Sequence, residues 1–469
     1  MNRPTLQHPL APFALATLTP VPFLLLGGFL GATWTLPALL WLTVVLIAAD
    51  RFLSDTADLI RWLPRRKPKP APPVTEAAAH APDPAEPPVE EADTAFPVAV
   101  SDPASKDDRA WDDIDSTIAS LLRDDPAEQR HAAFSPIAPD APQGPADAAP
   151  AGKAPGTFRT RAAGLVTALS TRLDAIRSSS GRPLRDSDRL SLVLAASHLL
   201  LMIAAIYGLS GRAGYGVFGW TLAFLAFGLW FGQVSNANAH ALIHRRDRRL
   251  RALGAAIYAT MGFGHHASAH RLVHHRFVAT LDDPNTAQLG ESIYGFIPRA
   301  WSGAFVAGYE MEAAILRRRP RRRMPALHPY VWYLAGTILT ALLILILFGI
   351  TGLLAWVLLA GFAQLQILLA DYVQHYGLRR RALSLGTVEA LGLRHSWDAP
   401  QPFSAALTLN LPRHADHHLN PNRCWSELDS REVAPRLPHS LPVMAAVALW
   451  PGKWRGLMDK RAKAAMRAT

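Results

Sequence analysis

His414-Ala415-Asp416-His417-His418, close to the C-terminus, decides the reading of this chain. Its three imidazoles stand at i, i+3 and i+4, positions on one face of a helix, so all three can be aimed at one place. The device recurs upstream. His270 and His274 are four residues apart with His275 adjacent, and His240 and His244 are also four apart. A single His375 sits in Asp371-Tyr372-Val373-Gln374-His375-Tyr376-Gly377. Any one of these has a bland reading, since a lone histidine is usually solvated or capping and one HxxxH is a weak signal. Four clusters, each beside an apolar span and together holding nine of the chain's 18 histidines, are not bland. Neutral imidazole ligates Fe, Zn, Cu and Ni. Nine are too many for one ion, so the pattern implies a two-metal centre.

Half of the 469 residues are apolar, 13 are tryptophan, and long apolar runs recur. The composition describes an integral membrane protein with one soluble insert. The net charge of +11 lies mostly in arginine runs flanking apolar spans, which fits cytoplasmic retention of basic loops rather than binding of nucleic acid. Cys424 is the only cysteine, which excludes disulfides and any fused rubredoxin or iron–sulfur module of about four thiolates. The first apolar run has almost no basic leader and continues into a second, so no cleavable signal peptide is expected.

In chain order, residues 12–30 and 34–49 each approach the length of about 20 helical residues that crosses hydrocarbon. Five basic residues follow in 61–69 and mark the cytoplasmic side. From 64 to 156 Ala, Pro, Asp and Glu dominate, and such a segment buries too little apolar surface to offset its ordering entropy, so it is read as disordered. One island, Trp111, Ile114, Ile118, Leu121 and Leu122, has helical spacing. Within 157–189, residues 160–178 form a basic amphipathic pattern suited to the headgroup region. The runs 190–209 and 217–239 are the next pair, the second delivering His240 and His244 and followed by Arg245, Arg246, Arg248, Arg249 and Arg251. The runs 330–348 and 353–370 are the last, turning at Gly349 and Gly352 and ending beside His375. Residues 441–449 are too short to span, and with Trp450 and Trp454 suit either the interface or a helix packed under the metal domain. The expectation is an all-α membrane fold: a hairpin in 1–63, the insert, the interfacial helix, and a catalytic domain in 190–469. That makes six transmembrane helices in three hairpins, with all four histidine clusters on the arginine-rich side.

His240-Ala241-Leu242-Ile243-His244, the stretch from Gly264-His265 through His275 to Asp282-Asp283-Pro284 with Gly290-Glu291-Ser292-Ile293-Tyr294-Gly295-Phe296-Ile297-Pro298-Arg299, Asp371–His375 with Tyr376-Gly377-Leu378, and Leu411-Pro412-Arg413 leading into His414–His418 resemble the four histidine motifs of the membrane alkane 1-monooxygenases, within the fatty-acid desaturase/hydroxylase superfamily. The isolated His375 box and the tail after the second box separate this branch from the desaturases. The resemblance covers the first two spans and about 190 to the C-terminus. It implies a non-haem di-iron centre held by His240, His244, His270, His274, His275, His375, His414, His417 and His418. It also implies O₂-dependent hydroxylation of the terminal methyl of a medium- or long-chain alkane or similar chain, one oxygen atom entering the alcohol and the other leaving as water. The family's glutamates after the first histidine and before the second box are Ala241 and Ala269 here. Asp371, Gln374, Pro412 and Ala415 also depart from its pattern.

Nine neutral imidazoles leave the charge of two ferrous ions to be offset by nearby carboxylates and a metal-bound oxide or hydroxide. The candidate carboxylates are Asp371, Asp416, Asp282, Asp283, Glu310 and Glu312, with Asp416, enclosed between ligands, foremost. The chain carries no nucleotide-binding motif, so electrons are expected from a separate protein, by resemblance a rubredoxin or a ferredoxin with its reductase. Other readings are a desaturase or hydroxylase of a lipid acyl chain and a zinc-binding membrane transporter or sensor. The transporter requires ionisable residues within the spans, where His198 is the main one. The expected location is the inner membrane, with the metal site and insert cytoplasmic.

Overall fold

A computed structural model of the chain describes residues 10–62, 184–318, 327–384 and 387–467, without the side chains of 55–62. The segment read as disordered, the island at Trp111 and the helix at 160–178 lie outside these residues. The chain divides into two units, residues 1–55 with 135–469, and 56–134. The described part of the second is the end of the helix running to Trp62. All that follows concerns the first.

Among the described residues, five helices are long and apolar enough to cross a membrane: α1 (Ala11–Leu30), α2 (Ala32–Ser54), α3 (Asp186–Arg212), α4 (Val217–Ile243) and α8 (Pro329–His375). Between α4 and α8 lie α5 (Arg248–Thr260), α6 (His266–Ala269) and α7 (Ile293–Arg318). After them come a two-stranded antiparallel hairpin, β1 (Ala382–Ser384) and β2 (Thr387–Val388), then α9 (Pro402–Leu407), α10 (His414–Leu419), α11 (Leu441–Ala448) and α12 (Pro451–Arg467).

The 47 residues of α8, if straight, would extend about 70 Å, more than twice the roughly 30 Å of hydrocarbon. Gly349, at φ 72° and ψ −170°, breaks the run. Thr337 Oγ1 donates to the carbonyl of Ala259 (2.9 Å), Trp356 Nε1 to that of Thr260 (2.8 Å) and Gln364 Nε2 to that of Met261 (2.8 Å). Positions on both sides of Gly349 thus reach three consecutive carbonyls, so the run doubles back into a hairpin.

Buried polar groups tie these helices together, as required where water is absent. His198 on α3 spends both ring nitrogens on neighbours, Ser235 Oγ of α4 at 2.6 Å and Thr260 Oγ1 of α5 at 2.8 Å. The main ionisable group within the spans is therefore a cross-tie, which removes the feature a transporter reading needs. Arg245 pairs with buried Asp188 at 2.6 Å. Asp247, which interrupts the arginine run, caps α5 by accepting from the amides of Arg249 and Leu250 (2.8 and 3.2 Å). Asp50 at the end of the first hairpin accepts from the amides of Phe403 and Ser404 (2.8 and 2.9 Å), anchoring α9 just ahead of the last histidine box.

The 26-residue α7 has no counterpart in the expected helices. Its buried positions, Ile293, Phe296, Ala300, Ala304 and Gly308, follow the three- and four-residue spacing of one helix face. At the C-terminus, the packed-helix alternative holds for Trp454, which is fully buried with its ring 5.3 Å from those of Tyr372 and Tyr376, while Trp450 is exposed.

Candidate metal centre

The nine histidines of the four motifs stand together in two adjacent groups. His240, His244, His270, His275 and His417 form one; His274, His375, His414 and His418 form the other. Within each group, one potential ligand atom per residue lies within 4.8 Å of all the others. The rings of His275 and His418, 4.5 Å apart, mark where the groups meet.

α4 carries His240 and, just past its end, His244, whose four-residue spacing keeps them on one side. In the second box His270 and His274 share a face as expected, their rings 5.0 Å apart, but His270 falls in the first group and His274 in the second. Residues His270–His274 form a π-helical turn. The wider turn also brings His275, five residues on, within 4.7 Å of His270. His270 and His275 stand in the first group and His274 in the second. Such π-bulges concentrate at functional sites. The last box divides too: on α10, His414 and His418 face one group and His417 the other. Ahead of α10, Leu409 and Asn410 adopt φ of 49° and 59°. This left-handed conformation is uncommon outside glycine, and it turns the chain from α9 into the site.

The facing nitrogens are close: His240 and His275 Nε2 lie 2.8 and 3.1 Å from His270 Nε2, and His275 Nε2 lies 3.1 Å from His417 Nε2. In the other group His375 and His418 Nε2 lie 2.9 and 3.0 Å from His414 Nε2. Facing ring nitrogens cannot all carry protons, and burial pushes the imidazolium forms of His244, His270, His275, His414, His417 and His418 far down, His417 to about 3. Each neutral ring has one lone pair to offer, and His244 and His274 Nε2 have no hydrogen-bond partner. The donor set fits two cations. Each group consists of imidazoles alone among the described residues.

His274 is the exception in charge. Burial opposes its protonation, but Asp283, whose Oδ2 lies 2.9 Å from His274 Nδ1, outweighs this and raises its pKa. Burial likewise opposes the Asp283 carboxylate, and His274 with its hydrogen bonds still holds it low. A carboxylate behind a ligating imidazole orients the ring and raises its basicity. Asp283 is fixed in turn by Thr286 Oγ1 (2.7 Å) and the amide of Asn285 (3.0 Å), while Asn285 Nδ2 donates to Asp371 Oδ2 at 2.6 Å. Arg299 clamps this loop through the carbonyls of Pro284 and Thr286 and an ion pair to Glu291 at 2.8 Å.

Asp416 does not play its expected part. Its carboxylate faces away from the groups to Arg423 (2.7 Å) and Arg431 (3.3 Å), so its charge is already answered. Asp282 and Glu310 are exposed, and Glu312 accepts from Ser268 Oγ at 2.5 Å. Sequence reasoning missed Asp398, a fully buried residue whose Oδ1 accepts from the amide of Ala415 (2.9 Å) and so fixes the start of α10. Burial pushes its pKa up to about 7. Ala269, one of the departures from the family motif, packs against α7: a Cβ placed on Gly308 would lie 3.1 Å from Ala269 Cα and Cβ. Nδ1 of His270, His275, His414 and His418 reaches no acceptor in the described residues.

Two cavities abut the groups. One, beside His240, His244 and His417, is flanked by Arg423 and Trp425. The other runs between α4 and α8, from Gly232 and Gln366 to His240, His270 and His414.

A family model for fatty acid desaturases matches residues 216–448. The chain is 31% identical to alkane 1-monooxygenase 1 of Alcanivorax borkumensis over 64% of this chain and 75% of that protein. It is 30% identical to alkane 1-monooxygenase 2 of Pseudomonas aeruginosa over 53% of this chain and 65% of that one. It is 32% identical to alkane 1-monooxygenase of Ectopseudomonas oleovorans over 50% and 59%, respectively. With its all-helical multi-pass membrane fold and histidine-lined metal site, the chain belongs to the alkane 1-monooxygenase family of the fatty acid desaturase superfamily and is an oxidoreductase.

Proposed function

We propose that this enzyme uses O₂ to hydroxylate the terminal methyl of a medium- or long-chain alkane, or a similar apolar chain, to a primary alcohol. The centre is two non-haem irons held by the nine histidines. The observation that carries this reading is the sorting of nine imidazoles, seven buried and two half-buried, into adjacent groups of five and four. Iron, when bound, supplies the O₂ activation that no side chain can.

The chain's own residues do the rest. The imidazoles that burial holds neutral, His274 apart, are ready to ligate without first losing protons. Asp283 orients His274, and Asp398 and Asp50 hold the segment that delivers His414, His417 and His418. The cavity between α4 and α8 aims a chain end at His240, His270 and His414. The α8 hairpin counts as two crossings, giving six, with the site on the cytoplasmic side of the inner membrane. Electrons come from a separate rubredoxin or ferredoxin with its reductase. Arg245 is committed to Asp188, so of the first basic run Arg246 and Arg249, both exposed, remain candidates for steering an acidic carrier.

The test is turnover of octane by purified enzyme with an electron carrier under ¹⁸O₂. The expected product is 1-octanol carrying one labelled oxygen. Unlabelled alcohol, or an alkene, contradicts the reading.

A further inference from the structure

The cavity between α4 and α8 is polar in one respect that hydrocarbon does not require. Asn236, one helical turn before His240 and on the same face, lines it and is 4% exposed. Its Nδ2 donates to the carbonyls of Gly232 (3.1 Å) and Ala363 (2.9 Å), which fixes the orientation of the amide. Its Oδ1 is buried with no hydrogen-bond partner. The other two carboxamides on this wall spend their donors in the same way. Gln366 Nε2 donates to Gly228 and Phe362, and Gln374 Nε2 to Leu411, all backbone carbonyls. The Tyr258 hydroxyl donates to the carbonyl of Asn236 at 3.3 Å. The carboxamide and tyrosine donors named here go to backbone carbonyls, and the Asn236 acceptor is left over.

A buried carbonyl oxygen without a donor is costly, and Asn236 lines the cavity in which the chain to be oxidised is placed. We propose that Asn236 Oδ1 is the acceptor of a hydroxyl-binding subsite, so that the enzyme holds a primary alcohol more tightly than the parent hydrocarbon. The proposal rests on the reading of this cavity as the chain site. The hydroxyl that recognises Asn236 is the group the proposed reaction creates, one helical turn from the histidines. Product is therefore retained and competes with substrate.

The experiment is equilibrium binding of radiolabelled octane, 1-octanol and 1-methoxyheptane to the iron-loaded enzyme without reductant, so that nothing turns over. The ether matches the alcohol in length and polarity but donates no hydrogen bond. The expected result is 1-octanol bound about ten-fold more tightly than either other ligand, the worth of one buried hydrogen bond. In Asn236→Leu that preference is lost while octane binding is kept. An ether bound as tightly as the alcohol overturns the proposal. So does an alcohol preference that survives Asn236→Leu, which would place the hydroxyl on the metals instead. If Asn236→Leu does not fold, the comparison of ether with alcohol in the unmodified enzyme decides alone. Binding of neither octane nor octanol overturns the assignment of the cavity itself, and the subsite with it.

Discussion

The two histidine groups differ in enclosure and support. The group of four is buried throughout, and one member, His274, is backed by Asp283. The group of five has two partly exposed members, His244 and His275, and an open cavity beside it. One ligand type, repeated nine times, has produced an anchored site and an accessible one. The difference arises around the histidines, from the loop at Asp283 that backs His274 and from the cavity beside His240, His244 and His417.

The largest expected effect is the unequal result of removing one ligand from each group. His274→Ala leaves three imidazoles and a buried, unpaired Asp283, whereas His417→Ala leaves four. Both should reduce hydroxylation by more than the roughly 10–100-fold that loss of an outer partner costs. Metal analysis should find the greater iron loss in His274→Ala, with membrane insertion unchanged in both. Equal losses would remove the distinction between the sites.

Asp283→Asn probes the support alone. It keeps a hydrogen-bonding side chain behind His274 and withdraws the charge, and should weaken one metal by about 10–100-fold while sparing the other. A competitive chelator titration reads this as two separated steps. In the unmodified enzyme the same chelator should remove iron in two phases, the faster from the half-open group, and a single phase would count against unequal access.

Smaller effects lie further out. Trp454→Ala opens a cavity against Tyr372 and Tyr376, next to His375, and should cost about 3–5 kcal/mol of stability, seen as a lower unfolding temperature with iron retained. Deleting residues 72–150 should change neither iron content nor turnover, because their composition cannot build a packed core. An iron-free deletion that still inserts normally would tie that segment to the catalytic unit.

The apolar runs and the histidine clusters were legible because each is a local signal. Residues 12–30 became Ala11–Leu30, and 217–239 became the start of Val217–Ile243, extended by the turns that carry His240. The division of the histidines was not legible. Four-residue spacing predicts a shared face, which His270 and His274 keep, but not which group each ring serves, and the π-turn that brings His275 beside His270 has no marker in the residues themselves. Asp416 misled because sequence adjacency to ligands says nothing of direction, and Arg423 and Arg431, 7 and 15 residues away, draw it outward. Asp398 and Asp50 act across distances at which no spacing rule operates. The helix Ile293–Arg318 had a signal, the buried series from Ile293 to Gly308, but Gly295, Pro298, Gly303 and Gly308 obscure it as helix formers go.

The central claim is that the two groups hold one iron each. Metal analysis of the enzyme purified after growth with iron, together with Mössbauer spectra of the ⁵⁷Fe-enriched protein, tests it most directly. The account predicts two irons per chain with distinguishable signals, the one held by four imidazoles alone shifting in Asp283→Asn. A single iron per chain, or zinc filling both groups in enzyme that turns over, would contradict it.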